Sequence, residues 1–167
     1  MSLTRDELKA HLAEVLVEWH AITGEQPWLS MPAEARIDHL PELIRDLIDA
    51  SLGDPVDEAA RRRTLTAAAR HGEDRRIHGF PDGLIFIEYV LLREALWRFI
   101  RQFAPPEEAG PAIMRMDSAM TVASRAALFG YHARELDERG RTMPELLAEL
   151  DRQWPAEIDR PALDERE

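Results

Sequence analysis

The sequence predicts an all-α protein, an antiparallel helical bundle of four main helices plus short accessory helices. Three observations lead there. Apolar residues recur at spacings of three and four along most of the chain. No run alternates apolar and polar residues convincingly enough to be a strand. Glycine and proline gather between the periodic stretches, where helices stop and start.

Leu8, Leu12, Val15, Trp19 and Ile22 define the first amphipathic segment. Thr4 is a plausible N-cap, and Glu7 three residues later completes a capping box. Gly24 ends it, and a loop carries Trp28, expected to plug the core. The second segment covers roughly Pro32 to Leu52, with Ile37, Leu40, Leu43, Ile44, Leu47, Ile48 and Leu52 on its apolar face. Pro41 removes a backbone donor, so a kink or a fresh start is expected there. Gly53-Asp54-Pro55 is the stop.

The third segment runs from about Val56 to His78 and sets Ala60, Thr64, Ala67, His71, Arg75 and His78 on one face. Small residues in its first half would let a neighbouring helix approach closely. Gly72 costs about 1 kcal/mol relative to alanine in a helix, and such a contact offsets that. Gly79-Phe80-Pro81-Asp82 is a tight break that makes the flanking helices antiparallel neighbours. The fourth segment, about Pro81 to Phe103, is apolar around nearly half its circumference and reads as the bundle's central helix. The fifth, about Pro106 to Glu138, is expected to bury Ile113, Met116, Met120, Ser124, Ala127, Leu128 and Tyr131, and Gly140 ends it. A short helix follows from Met143 to Gln153. Residues 1–153 thus read as one domain, and 154–167 as a Pro- and acid-rich, frayed tail or linker.

Composition narrows the function. Lys and Arg number 21 against 32 Asp and Glu, a net charge of −11 that argues against nucleic acid and anionic membranes as partners. Without cysteine there is no disulfide, no thiolate metal site and no cysteine nucleophile. No leader-like apolar run follows Met1, and no stretch reaches the roughly 18 apolar residues of a membrane span, so a cytoplasmic location is expected. Gly-x-Gly-x-x-Gly, P-loop, His-Glu-x-x-His and Gly-x-Ser-x-Gly motifs are missing, so the expectation is a protein that is not an enzyme. No metal or other cofactor is expected either, for no Glu-x-x-His pair marks a di-iron bundle. Arg61-Arg62-Arg63 resembles a nucleic-acid patch, but on a helix the three point apart, and a solvated face is the better reading. Met114, Met116 and Met120 suit core filling, or a flexible pocket.

One residue breaks the apolar pattern. Glu88 falls between Ala95 and Phe99 on the fourth segment's helical wheel, and a buried carboxylate needs a partner. Folding the chain about Gly79-Phe80 sets position 71 opposite position 88, with Arg75 one turn nearer the link. Spacing alone therefore gathers His71, Arg75 and Glu88. The cluster reads as a satisfied ion pair fixing the register of two helices, or as a ligand pocket or proton-responsive switch. Arg93 lies at the edge of the same stripe and should snorkel or pair with an acidic neighbour. Asp117 is either a second buried carboxylate or a boundary residue facing water.

These residues also carry a family resemblance. Ala69-Arg70-His71-Gly72-Glu73-Asp74-Arg75, Gly79-Phe80 and Ile87-Glu88-Tyr89-x-x-Leu92-Arg93 together resemble the RsbRD-type N-terminal domain. That is the N-terminal part of RsbT co-antagonist proteins, and it also precedes bacterial histidine kinases. Leu40-Pro41-Glu42-Leu43-Ile44 and Met116-Asp117-x-x-Met120 fit the same pattern, which covers roughly Leu8 to Leu136. The resemblance implies a sensory or regulatory module that acts through a fused output domain or a signalling partner. It also implies a homodimer, and it supplies neither a catalytic residue nor a defined small-molecule signal. The alternative is a globin-like haem or small-ligand binder using a histidine such as His71.

Overall fold

The computed structural model describes residues 5–24, 39–52 and 57–158. Among them every regular element is a helix: α1 (Arg5–Ala10), α2 (Leu12–Gly24), α3 (Leu40–Ser51), α4 (Glu58–Ile77), α5 (Asp82–Phe103), α6 (Pro106–Tyr131), α7 (Ala133–Glu138) and α8 (Met143–Ile158). Thr4, Trp28 and Gly53-Asp54-Pro55 lie outside the described residues. None of the described helices is long and apolar enough to cross a membrane.

Helix boundaries follow local chemistry. α3 starts at Leu40 with Pro41 in its first turn, where the missing N–H costs nothing. Asp57 caps α4 by accepting from the N–H groups of Ala59 and Ala60 at 2.9 and 3.0 Å. At the other end Gly79 takes a φ of 76°. There Phe80 N–H donates to Arg75 C=O and Gly79 N–H to Arg76 C=O, both at 3.0 Å, a left-handed helix ending. Gly140 ends α7 in the same way. The first segment divides at His11, whose ring stacks on Phe103 with centroids 4.5 Å apart. The fifth segment also divides, at His132.

The helix at the centre is α6, not α5 as the apolar stripe suggested. α6 lies along α4 and also packs on α3, α5 and α8. Its inner side is built from small residues, Ala119, Ala123, Ala126, Ala127 and Gly130, so neighbours come close from several directions. A Cβ placed on Gly72 would stand 1.8 Å from the Ala127 carbonyl oxygen, and one on Gly130 1.8 Å from that of Ala69. The two glycines thus meet the opposite backbone reciprocally. Climbing α4 from 69 to 72 descends α6 from 130 to 127, so the two helices run in opposite senses.

α4 and α5, joined by the short link, come together only sparsely. α5 leans instead on α6 and α2, and α4 on α6 and α3. The two face each other through long side chains, Glu88 of α5 reaching His71 and Arg75 of α4, rather than through close backbone. The close approach offered by the small residues of α4 is taken by α6. Tyr131 of α6 pins the link by donating its hydroxyl to Phe80 C=O.

Three further expectations change. Met114 is 49% exposed, so of the three methionines only Met116 and Met120 fill the core. His78 is exposed, its Nδ1 2.7 Å from Asp74 C=O. The last helix does not stop at Gln153: α8 runs to Ile158, and Trp154 is wholly buried. Helical backbone and a buried side chain at Trp154 thus extend past Gln153.

Candidate functional site: a buried carboxylate between two helices

His71 and Arg75 lie one turn apart on α4, and Glu88 faces them from α5. All three are buried, at 5%, 4% and 3% exposure. Glu88 Oε2 lies 3.1 Å from His71 Nε2. Arg75 Nε is 3.0 Å from both carboxylate oxygens. An ionised carboxylate can only accept, so His71 Nε2 carries the proton it donates. Long side chains span the gap between helices whose backbones approach sparsely.

Opposing influences act on Glu88. Burial is the largest and raises its pKa. The hydrogen bond and electrostatic pull of His71, followed by the charge and hydrogen bond of Arg75, together outweigh it. The carboxyl is held below its ordinary value, and the folded protein keeps it ionised. Its neighbour Tyr89 moves the other way. Burial, then the Glu88 charge, raises the phenol above its usual range. The Tyr89 ring stands edge-on to His71 with centroids 6.1 Å apart.

Arg93 and Asp117 do not join this cluster. They pair with each other across α5 and α6, with side-chain exposures of 27% and 38%. Arg93 Nη2 also donates to Thr121 Oγ1 at 3.3 Å. Of the two readings of Asp117, the boundary position is the one found. A half-exposed pair of this kind contributes little to stability.

Two features escaped the sequence reading. His39 Nε2 lies 3.0 Å from Asp74 Oδ2, tying the start of α3 to α4. No periodic signal marks His39, which precedes the helix. Trp19, Leu40, Leu43, His71, Tyr89 and Leu92, with Glu88, line a small chamber of about 10 Å³ beside the cluster. The wheel had placed Trp19 and Tyr89 in the core but could not show what they surround.

Chemically, the cluster is a closed charge-neutralising unit. Its carboxylate oxygens are engaged by cationic or proton-donating groups, and the adjoining chamber is far too small for an organic substrate. No group of three or more His, Cys, Asp or Glu side chains among the described residues is placed to hold a metal ion. Larger open grooves lie elsewhere. One of about 370 Å³ runs between α3 and α4 past His39, Asp46, Arg63 and Arg70. Another of about 520 Å³ lies on α5 beside Val90, Arg93, Trp97 and Arg101. In comparison with known proteins, no family model, no curated protein and no solved structure matches this chain.

Proposed function

We propose that this chain is a non-catalytic sensory or regulatory module of bacterial signal transduction, of the RsbRD type. It acts on an output domain or a partner protein such as a histidine kinase. One observation carries the reading. The two halves of the motif behind the resemblance meet at the same place, His71 and Arg75 from α4 gripping Glu88 from α5. Gly72, between the two basic residues, sits against the backbone of α6. A shift of α5 relative to α4 is therefore felt at the α4–α6 contact. Packed helix interfaces of this kind suit the switching of helix positions. The finer architecture, an antiparallel bundle of four main helices in the cytoplasm, belongs to the same proposal. The opposite run of α4 and α6 supports it.

A homodimer is part of the reading. Phe86 and Val90 stand 55% and 47% exposed on α5, in one stripe with Arg93 and Trp97, and supply an apolar surface for a second copy. Sedimentation at rising concentration should show a dimer, and Phe86→Glu with Val90→Glu should return it to monomer. A wild-type protein that stays monomeric at the highest concentration removes this part.

The decisive test of the signalling role is functional. A kinase or other signalling protein encoded in the same reading frame or beside it should change its output several-fold when Glu88→Gln is introduced into folded protein. An unchanged output, or a genetic setting without any signalling protein, overturns the proposal. The haem alternative gains no support from the geometry, because the Nε2 atom that would bind iron faces Glu88.

A further inference from the structure

Two buried polar atoms beside the ion cluster meet no hydrogen-bond partner among the described residues: the indole Nε1 of Trp19 and the hydroxyl of Tyr89. Trp19 is 1% exposed and Tyr89 5%. Buried donors are almost always satisfied, so each needs a reason. Both residues line the chamber of about 10 Å³ that His71 and Glu88 also border. One water molecule needs about 10–15 Å³ of such space, together with two to four polar partners.

We propose that this chamber is a binding site for a single internal water molecule. Such a molecule joins Trp19 and Tyr89 to the Glu88 cluster. The donor and acceptor inventory fits water closely. Trp19 Nε1 can only donate, and an ionised Glu88 can only accept. Tyr89 does either. A water molecule accepts from the indole, donates to the carboxylate and exchanges its remaining bond with the phenol. A larger polar molecule is excluded by size. A purely apolar atom would leave both buried donors unsatisfied.

The consequence is structural. The ion cluster is built from α4 and α5 alone, whereas Trp19 stands on α2. The water extends the network from two helices to three, so α2, α4 and α5 share one polar centre. This inference is independent of the signalling role, since it rests on the chamber and its unpartnered donors.

The wild-type protein decides it. In a nitrogen-15-labelled sample, the Trp19 indole proton should show a nuclear Overhauser contact with a long-lived water, of the sign that distinguishes a bound molecule from proton exchange. A crystal structure should show density about 2.7–3.2 Å from Tyr89 Oη and Trp19 Nε1. Direct bonds from these atoms to protein acceptors, or a well-ordered chamber without density, overturn the proposal. Tyr89→Phe adds a second reading. With the hydroxyl gone, the water contact at Trp19 should weaken or vanish while the fold stays intact, and an undiminished contact removes Tyr89 from the site. Should that variant fail to fold, the wild-type spectrum and density remain decisive.

Discussion

Glu88 shows how much one side chain can hold. Its charge is nearly enclosed, and Arg75 and His71 are enclosed with it. Removing one partner from such a group strands the others, at a cost of about 3–5 kcal/mol. Glu88→Leu should therefore lower the stability read from urea denaturation by that amount. Replacing Arg75 and His71 by apolar residues in the same protein should recover much of it, since the buried charge is then absent. A single variant as stable as wild type would show that the carboxylate is not needed. The pH dependence has a definite sign. The folded-state pKa of Glu88 lies below its unfolded value, which is about 4.3 for a free glutamate. The stabilisation is complete above that value and is lost as pH falls through the folded-state pKa. The stability gap between wild type and Glu88→Gln should thus be widest near neutrality and narrow in acid, as read by urea denaturation at stepped pH. A gap that widens in acid contradicts the assignment. This cluster was legible in the sequence because a charged residue interrupts a periodic stripe, and a short link fixes what lies opposite it. Trp19 and Tyr89 gave no such signal. They fit the apolar pattern, and their unpaired polar atoms emerge only in three dimensions.

At the scale of elements, the α4–α6 contact makes the sharpest demand. Alanine in place of glycine ordinarily favours a helix by about 1 kcal/mol. At Gly72 and Gly130 the added methyl would stand 1.8 Å from a backbone oxygen, and backbone cannot swing aside as a side chain can. Overpacking of this kind typically costs about 1–3 kcal/mol. Gly130→Ala and Gly72→Ala should each destabilise the protein despite their better propensity. Gly83→Ala, where a Cβ meets nothing within 4 Å, should be neutral or stabilising by up to about 1 kcal/mol. Thermal denaturation of the three variants checks this, and equal behaviour would remove the close contact. The sequence announced that some helix would approach the small residues of α4, but not which one. The alanines of α6 form the complementary surface, and tertiary packing favoured them. The breaks at His11 and His132 were equally hidden, because the apolar spacing continues across both.

For the molecule as a whole, the last described helix tests where the folded unit ends. Proline at 155 and the acidic residues after it suggested a tail from Trp154 onward. A proline inside a helix costs about 3 kcal/mol, which makes that expectation reasonable locally. Burying a tryptophan is worth at least as much, for Trp→Ala in a core costs about 3–5 kcal/mol. Trp154 and Leu150 are 0% exposed, Leu146 is 3% exposed, and α8 packs on both α6 and α4. Arg61 of α4 also pairs with Asp151 of α8. The helix that closes the described chain is therefore part of the core that positions α4, and through α4 the Glu88 cluster. Ending the chain after Gln153, or replacing Trp154 by alanine, should remove about 3–5 kcal/mol. For a chain of this size each kcal/mol moves the midpoint by about 2–4 °C, so Tm should fall on the order of 10 °C. Circular dichroism melting of both proteins measures it. A truncated protein that melts with the full chain would show α8 to be dispensable and would return residue 154 to a tail.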